Sequence, residues 1–226
     1  MGVYFGKLRV GVEVPRYDVV QKYSAYEIRK YHAAVAAEVH VEEGNQHKGS
    51  DGFRALAKYI GAFGEPNNQK KEAIKMTAPV VTQPTAGKGG GEKIAMTAPV
   101  VTQQTGAAAG SGEGQGYWMQ FIMPSKWTME TLPTPTDPNV RLKALPERYV
   151  AAVYFSGRTN AQVVEKMEAK LLDDLKADGV QVKGGCKPEL ARYNDPFTPG
   201  FLRTNEIWVT INPPQNLSEQ RAGESS

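Results

Sequence analysis

The chain has 226 residues, 40% of them apolar and 23% charged, which suffices to bury a core without disulfides or metals. A net charge of +3, with no basic run denser than Lys70-Lys71, argues against a nucleic-acid partner. The single cysteine, Cys186, excludes an internal disulfide and fits a reducing compartment, so a cytoplasmic location is expected, and no apolar run approaches the roughly 20 residues that span a bilayer.

Residues 1–16 read as a lead-in without a strong period. Tyr23–Tyr31 is strand-like, and Val35–Val41 alternates apolar and polar residues as a half-buried strand does. Only His32, Ala33 and Ala34 separate them, with little turn chemistry, so the pair is expected to be one bent strand. After a polar loop, Ser50 is the expected N-cap of a helix whose Phe53, Leu56, Ala57 and Ile60 form one apolar stripe, ended by Gly61 and Gly64.

A repeat follows. Glu72–Gln83 and Glu92–Gln103 match at ten of twelve positions, twenty residues apart. Ile74, Met76, Ala78 and Val80 alternate in the first copy, and Ile94, Met96, Ala98 and Val100 in the second. That period of two predicts a strand duplicated into a hairpin over 72–103, with Pro79 and Pro99 at an edge or bulge. The Gly/Ala-rich stretch 105–116 reads as a loop, Tyr117–Met123 as a central strand, and Ser125–Pro138 as a linker.

In the second half Tyr149–Phe155 is a predicted strand. Thr159 and Gln162 form a capping-box pattern, and Val164, Met167, Leu171 and Leu175 mark the buried face of a helix ending at Gly179. A strand start at Val180, a segment Pro188–Tyr193 and an alternating strand Asn205–Ile211 complete it. The tail 212–226 is expected to be disordered. Strand, long helix and further strands recur in each half, about 17–124 and 147–211. The predicted class is α+β: a pseudo-twofold plan with two long helices against one large antiparallel or mixed sheet. Residues 17–211 are expected to form one domain.

No nucleophile elbow, phosphate-binding loop, paired-histidine zinc helix or cysteine pair is present. Of the three histidines, His40 reads as a solvent-face strand residue, while His32 and His47 are candidate metal ligands. Met76 and Met96 read as core. The Pro-rich loop carrying Phe197, Phe201 and Arg203 sets aromatics beside a guanidinium. That combination suits a flat apolar ligand bearing carboxylates.

Four motifs now stand in order: Tyr26-Glu-Ile-Arg-Lys-Tyr31, Phe53-x-x-Leu-Ala-Lys-Tyr-Ile60, Lys93-Ile-Ala-Met-Thr-Ala-Pro-Val100 and Asn205-Glu-Ile-Trp208. Their order and spacing resemble the SOUL/haem-binding protein family from about Tyr17 to Ile211. The doubled Met-Thr-Ala-Pro-Val segment resembles its plant and green-algal cytosolic branch. The resemblance implies a duplicated unit, a distorted β-barrel or curved antiparallel sheet flanked by two long helices, and non-covalent binding of haem, or of a metal-free porphyrin, by a carrier or buffer. It places the apolar cleft between the first helix (Phe53, Leu56, Ala57, Lys58, Ile60) and the loop before the last strand (Phe197, Thr198, Phe201, Arg203). His32 is the implied axial-ligand candidate, and a monomer is expected. Two alternatives stay open: a haem-modifying enzyme with peroxidase-like or iron-removing chemistry, and a small-molecule or protein interaction module, since the fold also resembles bacterial effector-binding domains.

Overall fold

The computed structural model describes residues 12–42, 48–84, 116–194 and 198–214. Among the described residues nine strands form one sheet: β1 (Tyr17–Lys22), β2 (Glu27–Tyr31), β3 (Ala34–Glu42), β4 (Val80–Pro84), β5 (Gly116–Ile122), β6 (Val140–Leu145), β7 (Arg148–Ser156), β8 (Glu189–Arg192) and β9 (Thr204–Ile211). Helix α1 (Lys48–Ile60) lies between β3 and β4, and α2 (Ala161–Ala177) between β7 and β8. A short 3-10 turn, Gly200–Leu202, precedes β9.

The sheet order is β1-β2-β7-β9-β8-β4-β5-β3-β6, and every pairing is antiparallel. Strands β2 and β3 are joined by only His32 and Ala33, yet six strand spacings separate them in the sheet. In a flat sheet those spacings would amount to about 29 Å, and so short a link reaches only about 11 Å. The sheet must therefore curl until its two ends approach. The link β6–β7, made by Pro146 and Glu147, imposes the same closure from the other side.

The order also carries the duplication. Exchanging β2 with β6, β3 with β7, β4 with β8 and β5 with β9 reproduces the sheet read from its other end, with β1 as an addition. The axis passes between β4 and β8. The first strand of each half is traded, because β2 pairs with β7 and β6 pairs with β3.

Directly paired residues share a face, so the register sorts the side chains. One face carries Ala37, Val39, Val41, Met119, Phe121 and Val140 in the first half. It carries Ala151, Val153, Ile207, Val209 and Ile211 in the second. Both helices cover this face. The packing of α1 is close enough that a Cβ on Gly52 would lie 2.8 Å from Val41 Cγ2, which is why glycine stands mid-helix. The opposite, inner face holds Tyr31, Trp208, Gln120, Trp118, Glu38 and His40.

The inner face is polar, and its most buried charges meet in ion pairs. Arg29 and Glu206, with side chains 4% and 1% exposed, form a two-pronged ion pair at 2.7 and 2.9 Å. The Glu206 carboxylate also accepts from Tyr193 Oη at 2.6 Å and Trp208 Nε1 at 2.7 Å. Burial works against a charged Arg29, but the hydrogen bonds and charge of Glu206 outweigh it and hold the guanidinium protonated. Burial raises the phenols of Tyr31 and Tyr193. Arg148 and Glu189 form a second such pair at 2.5 and 2.8 Å.

Several local expectations are corrected. Strand structure was expected throughout 72–83, but the regular strand starts only at Val80, because Pro79 has no N–H to give a ladder. Residues before it are held individually: Ile74 N donates to Ile60 O at 2.9 Å, Ala78 N to Glu13 O at 2.9 Å, and Thr77 Oγ1 to Ile122 O. The N-cap of α2 is Asn160, whose side chain accepts from Val163 N at 2.9 Å. Thr159 Oγ1 accepts from Arg192 instead, so the capping-box pattern is not realised. Helix α1 begins two residues before Ser50. Near Val180 only an isolated bridge forms, Val182 with Ile211. The edge strands β1 and β6 have no counterpart among the expectations. The second copy 92–103, the stretch 105–115, His47 and residues 215–226 lie outside the described residues.

Candidate functional site

The residues named on α1 divide by direction. Phe53, Leu56, Ala57 and Ile60 are buried against the sheet, with Phe53 edge-on to Phe121 at 5.5 Å. They face the core because they form the helix's apolar stripe, and that stripe has β3 and β5 beneath it. Lys58 is exposed on the other side of the helix, and Phe63, just past its end, is exposed and touches Phe53 edge-on at 6.2 Å.

The segment before β9 is pinned by its backbone. Arg203 Nε donates to Thr198 O at 2.8 Å, Gly157 N to Arg203 O at 3.3 Å, and Thr204 N to Asn194 Oδ1 at 2.6 Å. These bonds present Phe201 and Leu202 outward, 79% and 44% exposed. Large apolar side chains so open, on a segment so tied down, form a surface that covers no core of their own. Phe197 lies outside the described residues.

A residue absent from the sequence reading joins this region. Arg192 sits on β8, on the helix-covered face where β4 and β8 meet. Its Nη1 donates to Thr82 Oγ1 at 2.8 Å and its Nε to Thr159 Oγ1 at 3.1 Å, tying β4 to the turn that opens α2. Burial lowers its pKa, the nearby Tyr117 phenol opposes this, and the Arg203 charge adds to the lowering, giving about 10. It therefore stays charged at neutral pH, beside a second guanidinium, where an anion would lower the energy of both. Arg158 adds a third cation, its side chain passing 3.3 Å from where a Cβ on Gly200 would stand. Only Arg203 had a sequence signal, through its aromatic neighbours. Arg192 follows Leu190-Ala191 in a strand too short to display a period, and its position depends on β4 arriving from over a hundred residues away.

The histidines differ. His32 is exposed at the β2–β3 link, and its Nε2 lies 2.8 Å from Asp18 Oδ2. His40 was expected on a solvent face but is half-buried on the inner face, because the sheet curls over it. Among the described residues, no group of three His, Cys, Asp or Glu side chains is placed to hold a metal ion. No helix among them is long and apolar enough to cross a membrane.

Comparison with solved structures finds the same fold at low identity. A hydrolase from Listeria innocua is 12% identical, with a TM-score of 0.50 over 85% of this chain and 94% of that one. An uncharacterized conserved protein from Listeria innocua is 11% identical, with a TM-score of 0.52 over 83% and 92%. EcmrR in its complex with DNA is 8% identical, with a TM-score of 0.54 over 85% of this chain and 59% of that one. These likenesses show the fold alone. No curated protein matches the chain. The model of the SOUL heme-binding protein family matches residues 12–91 and 85–210, one copy of the repeated segment falling in each piece. The chain belongs to the SOUL heme-binding protein family.

Proposed function

We propose that this protein binds haem or a related tetrapyrrole without a covalent link, as a cytoplasmic carrier or buffer of the family's plant and green-algal branch. The observation that carries the reading is the family match across both halves of the chain. The geometry before β9 supports it. An amphiphilic porphyrin offers a flat apolar ring and two carboxylates, and here Phe201 and Leu202 stand open beside the guanidiniums of Arg203 and Arg192.

In this reading Phe201 and Leu202 meet the ring, with Phe197 as a further candidate contact. Arg203, Arg192 and Lys58 face its carboxylates, and Thr198 fixes Arg203. Phe53, Leu56, Ala57 and Ile60 act by holding α1 in place. The residues present fit the carboxylates and the ring better than they fit an iron ligand. His32, the axial candidate, already directs Nε2 at Asp18, which leaves only Nδ1 for a metal. The proposal is therefore that affinity rests on apolar contact and ion pairing, so that metal-free protoporphyrin binds about as tightly as haem.

Titration with each porphyrin, followed by Soret absorbance and tryptophan quenching, tests this. Saturable binding of both is expected. Arg192→Gln should weaken each by about tenfold, the value of one charge-assisted hydrogen bond, and His32→Ala should leave the haem spectrum unchanged. Binding of haem alone, lost with His32→Ala, would overturn the mode. Absence of any spectral change would overturn the function.

A further inference from the structure

On the inner face, opposite α1, two side chains have polar atoms with nowhere to go. Trp118 Nε1 and His40 Nε2 are both closed to solvent and have no hydrogen-bond partner among the described residues. Trp127 Nε1 is also buried without a partner, but these two are neighbours. His40 and Trp118 are directly paired between β3 and β5, and their rings lie 4.8 Å apart. Trp118 is 4% exposed overall. An indole N–H is a donor only, and burying it unpaired forfeits its bond to water with nothing in return, so two neighbouring orphans call for a cause.

Their surroundings say what would satisfy them. Glu38, 1% exposed, is on the same face one pair along the strand, but its oxygens are engaged. Oε1 accepts from Arg141 Nε at 2.6 Å, and Oε2 accepts from Gln120 Nε2 at 2.6 Å with Lys143 Nζ at 3.4 Å. The guanidinium of Arg141 then lies over the Trp118 ring, its central carbon 3.5 Å from the centroid. Any occupant meets an indole donor, an imidazole nitrogen and two cationic side chains. A metal ion or an ammonium group is disfavoured by those cations and by the saturation of Glu38. An acceptor carrying negative charge is favoured by the indole donor and by the two cations, whose combined charge exceeds that of Glu38.

We propose that Trp118, His40 and Arg141 form a second ligand site, on the face of the sheet opposite α1, for a small molecule bearing a carboxylate. One carboxylate oxygen accepts from Trp118 Nε1, and the other faces His40 Nε2 in its protonated tautomer. Arg141, whose side chain is 47% exposed, is the movable wall: rotating off the indole opens the corner and lets its guanidinium pair with the incoming anion. The site shares no residue with the region around Phe201 and Arg203, so it stands or falls independently of tetrapyrrole binding.

The probe is sodium acetate, titrated into 15N-labelled full-length protein with sodium chloride at matched ionic strength as control. The expected result is a saturable shift of the Trp118 indole N–H resonance, with those of Trp127 and Trp208 unmoved. Arg141→Gln, a change at a half-exposed side chain, should weaken the acetate response about tenfold, and Phe201→Ala should leave it intact. Lys143→Gln gives a second, milder weakening if Arg141→Gln fails to fold. An indole proton that exchanges with water and shows no saturable shift means an ordered water only, and overturns the site. An equal response to chloride, or one that persists undiminished in both variants, overturns it as well.

Discussion

Arg29 and Glu206 stand 177 residues apart in the chain and meet inside the curl of the sheet. Neither charge has solvent to turn to, so their cost is asymmetric. A buried pair is near neutral against a well-packed apolar pair, but losing one partner strands the other and costs about 3–5 kcal/mol. Arg29→Met should therefore destabilise by roughly 4 kcal/mol. It leaves the Glu206 carboxylate without its guanidinium, with Tyr193 and Trp208 still donating to it. Adding Glu206→Gln should recover part of that loss, because an amide needs no counter-charge and still accepts from the indole. Urea unfolding of the two variants decides the matter, and a double variant no more stable than Arg29→Met alone counts against it. Both residues fall inside sequence motifs, Arg29 in Tyr26–Tyr31 and Glu206 in Asn205–Trp208, yet nothing in those motifs pairs them. Alternation places Arg29 and Glu206 on strand faces, but nothing local says that β7 will stand between β2 and β9.

At the scale of one element, α2 shows what periodicity sees and what it overlooks. Val164, Leu171 and Leu175 were recognised at helical spacing, and the two leucines are fully buried against the second core. Glu168 falls on the same stripe, four residues after Val164 and three before Leu171. Burial, with the Glu165 charge one turn away, raises its carboxyl to about 7. The folded state then holds a proton that the unfolded chain releases near pH 4.5. That contribution is fully present below about pH 4.5 and is lost as pH rises through about 7. Glu168→Gln keeps the shape and removes the titration. It should raise the melting temperature at pH 8, by roughly 1 kcal/mol of stability once solvent screening is allowed for, and change it little at pH 4. Thermal unfolding at the two pH values checks this; an equal gain at both would mean that Glu168 does not titrate as described. The helix itself was legible because seventeen residues display several turns. Its cap was misread because Thr159 and Asn160 both suit an N-cap, and Arg192, arriving from β8, claims the threonine.

At the scale of the molecule, the two-half plan was legible in the order of elements, while the exchange of β2 and β6 between halves was not. Strand trading is settled by the two-residue links that force the sheet to curl, and a link's length carries no record of which partners its strands will find. The doubled segment is the counter-case: conspicuous in sequence, it has one described role. The first copy alone supplies β4 and its pairing to both β5 and β8, as well as the Thr77 bond to Ile122. Deleting residues 84–103 removes the end of β4, the connector 85–91 and the second copy, and shortens the connection to β5 from 31 residues to 12. Closing the shorter loop is favoured by about 1 kcal/mol. The shortened chain is therefore expected to unfold cooperatively, with stability equal to or slightly above the full chain, and to keep its porphyrin titration, because no residue assigned to that region is touched. Removing residues 72–91 instead tests equivalence, since the second copy repeats the Thr-Ala-Pro-Val-Val-Thr-Gln that the first contributes. If only the first deletion folds, the copies have diverged in role through their two differing positions or their context. If neither folds, the repeat supports the sheet in a way that β4 and its pairings do not account for.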